Sequence, residues 1–366
     1  MTEDWQQGGF GLYVHWPYCE AKCPYCDFNS HVSRNIDQKA WARAYQKELE
    51  RIATELPGRV LNTIFFGGGT PSLMNPDTVA GIIETARKFW PTSNNLEVTL
   101  EANPGSVEAG RFTAFRDGGV NRISMGIQAL NDQDLKRLGR IHTVADARAA
   151  FDIAHQTFER VSFDLIYARQ DQTLTDWEQE LTLALSMAVD HLSLYQLTIE
   201  DGTAFGDRYA VGKLRGLPDE ALAADMFQIT QDICEAHGLP AYEVSNHARP
   251  GSESLHNLIY WRYGDYAGIG PGAHGRITLG GQRLATESWS NPQKWLESVD
   301  RGTGEKTRDL ISPEDQASEY LMMALRIRSG LDVDRYTALA GHPPDAESRS
   351  SLVQLGMIAD TGSNIS

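Results

Sequence analysis

Cysteine is nearly missing from this chain. There are four in 366 residues, three of them crowded between positions 19 and 26 and the fourth, Cys234, far away. Three clustered cysteines cannot all pair with one another, which excludes a disulfide framework as the organising principle. Basic residues are also short, 33 against 49 acidic, for a net charge of −16. Nucleic acid is thereby excluded as the main partner, because phosphate binding needs a basic surface, and attachment to anionic lipid is disfavoured on the same ground. No stretch reaches the ~18 uninterrupted apolar residues of a membrane span. Met1-Thr2-Glu3-Asp4-Trp5-Gln6 has neither the basic start nor the apolar core of a signal peptide. These absences predict a cytoplasmic protein with reduced thiols. The remaining composition, 41% hydrophobic and 9% aromatic, is that of a globular chain long enough for one large domain and a smaller one.

The clustered cysteines read Tyr18-Cys19-Glu20-Ala21-Lys22-Cys23-Pro24-Tyr25-Cys26, a C-x3-C-x2-C spacing directly after the strand-like run Gly11–Trp16. Three thiolates on one short loop can ligate three irons of a 4Fe–4S cube and leave the fourth iron open to a substrate or cofactor. A Cys3His zinc site with His15 or His31 as fourth ligand is the alternative, although zinc sites usually split their ligands into two pairs. Cys234, inside a helical pattern from about Asp219 to His237 with Met226, Phe227, Ile229 and Ile233 as its core face, reads as a small hydrophobe.

Further strand-like runs are Thr63–Phe66, Glu97–Glu101, Arg122–Ile127, Val161–Tyr167 and His191–Ile199, separated by helical patterns. Gln38–Leu56 places Trp41, Tyr45, Leu49, Ile52 and Leu56 on one stripe; Asn75-Pro76 reads as a cap with proline at the first helical position. Thr175-Asp176-Trp177-Glu178 reads as a capping box, and Gly118-Gly119 and Gly238 as helix stops. Strand–helix units in series predict a parallel sheet with right-handed crossovers, whose active site collects at the carboxyl ends of the strands. Polar and glycine-rich residues recur at those ends: the cysteine loop, Gly67-Gly68-Gly69-Thr70-Pro71, Glu101-Ala102-Asn103-Pro104-Gly105, Gly126-Ile127-Gln128, Asp164, and Tyr195-Gln196. Their recurrence predicts one shared pocket, with the glycine run offering free backbone groups to a ligand. A cationic ligand would make its carboxylates sensible. Arg140 could take a ligand carboxylate in a bidentate fork.

The cysteine loop, with an aromatic residue just before its last cysteine, resembles the signature of the radical S-adenosylmethionine superfamily. The resemblance implies a partial (β/α)6 TIM-like barrel, an α/β fold, holding a 4Fe–4S cluster on Cys19, Cys23 and Cys26. In that superfamily the open iron chelates S-adenosylmethionine, and reduction breaks the sulfonium bond to release a 5′-deoxyadenosyl radical. Tyr13-Val14-His15-Trp16-Pro17, Cys26-Asp27-Phe28-Asn29-Ser30, Phe66–Ser72 and Glu101–Gly105 resemble the coproporphyrinogen III dehydrogenase-related branch, and within it the chain is most similar to the HemW family of haem chaperones. By that match Tyr13, Gly68, Gly69, Thr70, Glu101, Gln128, Arg140 and Asp164 line the S-adenosylmethionine site, with Tyr25 stacking nearby. The related oxidases carry a fourth cysteine where Phe28 stands here. The chaperone family instead carries H-N-x-x-Y-W, present as His256-Asn257-Leu258-Ile259-Tyr260-Trp261.

Imidazole is a common axial ligand of haem iron, and Tyr260 and Trp261 offer flat apolar faces. His256 is therefore the expected haem contact, with Asn257, Tyr260 and Trp261 around it. His274, in the glycine-rich run Gly268–Gly275, is the second ligand candidate. The expected organisation is a barrel over 1–240, an extension with the haem motif over 241–300, and a small, mainly helical, winged-helix-like domain over 301–366 that is shorter than in its relatives. Glu305–Ser366 has six basic and ten acidic residues, a net of −4, which argues against DNA for that domain. The leading expectation is a haem chaperone that binds a 4Fe–4S cluster, S-adenosylmethionine and haem, with haem-accepting proteins (membrane haem proteins included, by transient contact) and a reductant as partners. The runner-up is radical oxidative decarboxylation of coproporphyrinogen III, which also needs a final electron acceptor. A zinc-stabilised binding module comes third.

Overall fold

Apolar runs rich in β-branched and aromatic residues form the parallel strands expected of them. In this computed structural model, which describes residues 3–33, 35–188 and 190–366, they are Phe10–Trp16 (β1), Leu61–Gly68 (β2), Thr92–Ala102 (β3), Arg122–Gln128 (β4), Arg160–Tyr167 (β5) and His191–Gln196 (β6). They lie side by side in that order. The chain returns between them through Gln38–Glu55, Pro76–Phe89, Ala109–Asp117, Val144–Thr157 and Leu174–Met187. The last strand stops at Gln196 rather than Ile199, because Leu197 and Ile199 turn away to pack with Phe205 and Leu214.

Register separates the two faces of the sheet. Val14 pairs with Phe66, Phe66 with Leu100, Leu100 with Ile123, and Ile123 with Val161, and all are fully or almost fully buried in the main core. Alternation sends the intervening residues to the opposite face. There Tyr13 pairs with Phe65, Phe65 with Thr99, Glu101 with Ser124, Ser124 with Ser162, and Asp164 with Ser193. A polar inner face and an apolar outer one are what positions the site.

Residues after 240 add to both edges of this sheet. Ala241–Glu243 (β7) and Asn246–Ala248 (β8) extend it antiparallel beside β6. Asp265–Ile269 (β9) pairs in parallel with β1, and His274–Leu279 (β10), Gln282–Ser288 (β11) and Glu305–Leu310 (β12) continue antiparallel from it. The run read as a glycine-rich loop is thus corrected: Gly268 and Ile269 end β9, His274 and Gly275 begin β10, and only the residues between make the turn.

Local signals hold with two corrections. Asn75 caps Pro76–Phe89 by accepting from the Asp77 N–H. The capping box before Trp177 is made by Thr173 and Asp176 rather than by Thr175, because the helix begins at Leu174 and puts Asp176 at its third position. In Glu220–Ala236 the buried stripe is Met226, Thr230 and Cys234, spaced four apart. Phe227 stands about 100° round from that stripe and is exposed. The small domain expected over 301–366 gives up Glu305–Leu310 to the main sheet as β12, and the residues after it are mainly helical. Helices Pro313–Ala324, Val333–Ala340 and Ala346–Gln354 accompany a two-stranded ladder of Leu331–Asp332 with Asn364–Ile365. Arg335 ties this unit to Asp4, and Glu319 ties it to Arg276 and Tyr263.

Candidate functional site

The cysteine loop is closed at its base. After β1, Tyr18 and Cys19 form a short parallel ladder with His31 and Val32, and the His31 N–H donates to the Pro17 carbonyl at 2.7 Å. Cys19, Cys23 and Cys26 are free and half-buried, and the Cys26 N–H donates to the Cys23 carbonyl. Burial pushes the Cys19 and Cys26 thiols up. The Arg140 guanidinium lies with Nη1 3.4 Å from Cys23 Sγ. Both histidines considered as a fourth zinc ligand are turned into the loop's own hydrogen bonds. His15 Nε2 donates to the Asn29 carbonyl at 3.0 Å while Nδ1 accepts from the Tyr13 hydroxyl at 3.0 Å, and His31 Nε2 meets Asn29 Oδ1 at 3.1 Å. Among the described residues no three His, Cys, Asp or Glu side chains close on a single ion. The donor set suits an object larger than one ion, held from three sulfurs.

The Gly67–Thr70 segment does a different job from the one expected. Its amides are not free for a ligand: the Gly69 N–H donates to the Trp16 carbonyl, the Thr70 N–H to the Tyr18 carbonyl, and the Gly68 N–H to Glu101 Oε2. At φ +108° Gly68 also passes so close to the His15 ring that a Cβ there would lie 2.6 Å from it. The segment zips β2 to the cysteine loop, and glycine is needed for the approach. Asn103 joins from just past the end of β3, donating to Thr70 Oγ1 at 2.8 Å.

Below the loop, Glu101 and Asp164 project from the inner face. Burial pushes Glu101 up to about 8, the neighbouring Asp164 adding to it, while burial takes Asp164 to about 6 against hydrogen bonds from Ser193 and Ser124. Neither carboxylate forms an ion pair with a cation among the described residues. Arg140 and Arg122 act on Asp164 only from a distance, and two sheltered acids without a direct ion-pair partner are the chemical complement of a cationic ligand. Arg140 corrects an expectation: its Nη2 donates to Asn103 Oδ1 at 2.6 Å and to the Gly126 carbonyl at 2.7 Å, so the fork is engaged within the protein. Gln128 closes β4 at φ +77°, a left-handed conformation costly for a non-glycine residue. Tyr25 packs against Phe205 at 6.4 Å. A small cleft lined by Glu20, Cys23, Thr70, Asn103, Arg140 and His142 opens beside the loop.

The His256 motif lies on helix Leu255–Trp261, deep in the barrel wall. His256 is buried, with Nδ1 2.7 Å from Thr63 Oγ1, Nε2 2.9 Å from the Tyr260 hydroxyl, and its ring stacked on Phe65 at 4.8 Å. Burial lowers it to about 3, so the ring is neutral. Asn257 donates to the Tyr242 hydroxyl, Tyr260 meets Tyr266 edge-on at 4.5 Å, and Trp261 lies under the Arg326 guanidinium at 4.5 Å. In this arrangement both ring nitrogens of His256 are held by protein, contrary to the expectation of a ring open to haem iron. His274 is exposed at the start of β10 and close enough to His15 to act on its charge. Sequence reading missed Asn29 and Asn103 as loop-holding residues; apart from their place beside the motifs, nothing local marks them, because their partners are remote in the chain.

The chain is similar to known proteins in sequence and in fold. Residues 13–184 match the model of the Radical SAM superfamily. Radical S-adenosyl methionine domain-containing protein 1, mitochondrial, from Bos taurus is 41% identical over 326 residues, spanning 87% of this chain and 74% of that protein. Heme chaperone HemW from Escherichia coli K12 is 38% identical over 333 residues, spanning 90% and 86%. The solved structure of the radical SAM coproporphyrinogen III oxidase HemN from Escherichia coli has the same fold, with a TM-score of 0.80 over 98% of this chain and 86% of that chain, at 22% identity.

Proposed function

Since the chain belongs to the HemW family of the radical S-adenosylmethionine superfamily, we propose that it is a cytoplasmic haem chaperone built on a 4Fe–4S cluster and S-adenosylmethionine. The observation that supports this reading is the pairing of three half-buried thiols on a loop pinned at both stems with two inner-face carboxylates that have no ion-pair partner among the described residues. Cys19, Cys23 and Cys26 would hold the cluster, whose open iron supplies ligand binding and one-electron reduction of a sulfonium. Glu101 and Asp164 would face the cationic part of S-adenosylmethionine; Tyr13, Gln128 and Thr70 would line it, with Gly68 and Gly69 fixing the loop above. Arg140 would stand beside Cys23 as a fixed positive charge rather than as a carboxylate fork. Haem would be received and passed to haem-accepting apoproteins, membrane-bound ones among them, with a separate reductant serving the cluster.

Haem rather than porphyrinogen chemistry is supported by the names of the relatives and by Phe28, exposed at the position where the resembling oxidases carry a fourth cysteine. For the haem iron, His274 has no side-chain hydrogen bond to open among the described residues, whereas His256 would have to give up Thr63 and Tyr260. His256, Asn257, Tyr260 and Trp261 would then support the haem side of the fold from within. Anaerobic reconstitution tests the reading: about four iron and four sulfide per chain are expected, then saturable haem binding weakened by His274→Ala. A colourless zinc protein would overturn it, and conversion of coproporphyrinogen III to protoporphyrinogen would transfer the assignment to the oxidase.

A further inference from the structure

We propose that Asn29 is a positioning residue that locks the cysteine loop to the C-terminal half of the sheet and so couples cluster seating to the β10–β11 hairpin. The inference rests on the reading of that loop as a cluster site. The loop leaves β1 at one stem, and there the backbone of Gly69 and Thr70 holds it. The other stem is held by Asn29, and every polar atom of its side chain is used. Nδ2 donates to the Pro271 carbonyl and to the Ser290 carbonyl, both at 2.9 Å, and Oδ1 faces His31 Nε2. Its own carbonyl accepts from His15, the ring that Gly68 makes room for.

The partners bracket one substructure. Pro271 lies in the turn between β9 and β10, and Ser290 follows β11, so one planar amide bridges the cysteine loop to both ends of the hairpin that begins with His274. Gly272 shows how closely the two pack. It sits at φ +75°, and a Cβ on it would fall 2.6 Å from Asn29 Nδ2. Two N–H groups aimed at two carbonyls demand an amide. A carboxylate of the same shape would set like partial charges against each other, and a shorter side chain would not reach. A site of this kind is only as fixed as the side chains behind its ligands. This shared side chain would couple a ligand seated on the hairpin to the state of the cluster loop, and such a coupling acts equally in both directions.

The experiment compares wild type, Asn29→Asp, Asn29→Gln and Gly272→Ala, all reconstituted anaerobically. It follows iron release to a chelator, the electron paramagnetic resonance spectrum of the dithionite-reduced cluster, and thermal unfolding. Expected are about tenfold or faster iron release and a changed spectrum in Asn29→Asp and Gly272→Ala, partial recovery in Asn29→Gln, an unfolding midpoint near wild type in the Asn29 variants, and a modestly lower one in Gly272→Ala. Gly272→Ala leaves the loop sequence untouched, so its agreement with Asn29→Asp would establish the bridge. Wild-type release and spectra in both variants would overturn the inference alone; a wild-type protein that takes up no iron and sulfide would overturn the functional reading beneath it.

Discussion

Thr63 and His256, 193 positions apart, meet side chain to side chain at 2.7 Å inside the barrel. The second ring nitrogen reaches Tyr260, so the imidazole bridges β2 to the helix that carries the histidine motif. His256→Ala would leave two buried hydroxyls without partners and a cavity against Phe65. The expected loss is about 2–5 kcal/mol of stability, measured as a lower urea midpoint. His274→Ala should leave that midpoint nearly unchanged yet weaken haem binding. An H256A protein as stable as wild type would mean that the bridge does not form.

Glu101 makes stability depend on pH in an unusual sense. Its folded-state value, about 8, lies above the ordinary 4.5, so ionisation is penalised only in the folded protein. Below the ordinary value both states are protonated and nothing is lost; as pH rises through about 8 the full penalty is reached. Glu101→Gln should therefore stabilise the metal-free protein by about 1–3 kcal/mol at pH 9 and have no effect at pH 4. Thermal melts at the two values test this. Equal effects at both would disprove the assignment.

The same two acids set a pH profile for ligand binding. Asp164, at about 6, and Glu101, at about 8, become anionic as pH rises. Affinity for S-adenosylmethionine should increase across that interval, by up to about tenfold per pH unit for each proton released, and level off above it. Calorimetric titrations from pH 5.5 to 9 check the trend, and Asp164→Asn should remove its lower part. A profile that falls with pH would rule out a cation-facing role.

Asp265 is fully buried at the start of β9, 2.8 Å from Arg59 and 3.2 Å from Arg283, and it also accepts from Thr278. Removing it as Asp265→Ala leaves the buried Arg59 guanidinium without its carboxylate and Arg283 with Asp4 alone. The expected loss is about 3–5 kcal/mol, read by chemical denaturation. Since β9 carries the turn to which Asn29 is tied, the same variant should also release cluster iron faster. Stability lost without any change in iron release would separate this network from the loop.

The parts of the molecule legible in the sequence are those whose reasons are local. Strands β1 to β6 announce themselves as apolar runs, and polar residues such as Glu101 and Asp164 stand out within them. The cysteine spacing needs no neighbour to be read. What escaped depends on partners distant in the chain. Nothing near Gly268 tells that its segment pairs in parallel with β1, and a run of glycines reads as a loop. Nothing near His256 tells that Thr63 and Tyr260 will occupy its ring. Phe227 is apolar yet faces out, because a helical pattern predicts a stripe better than the membership of a residue at its margin.

Parallel pairing of β1 with β9 has a bearing on biosynthesis. The strand leading into the cysteines borders β2 on one flank, but its other flank is filled only by Asp265–Ile269. While the ribosome is still translating the intervening stretch, a nascent chain presents that flank as an open, adhesive rim. Metal delivery before residue 269 has emerged would meet a half-built cradle, and a prematurely terminated polypeptide would be prone to clump rather than to acquire iron.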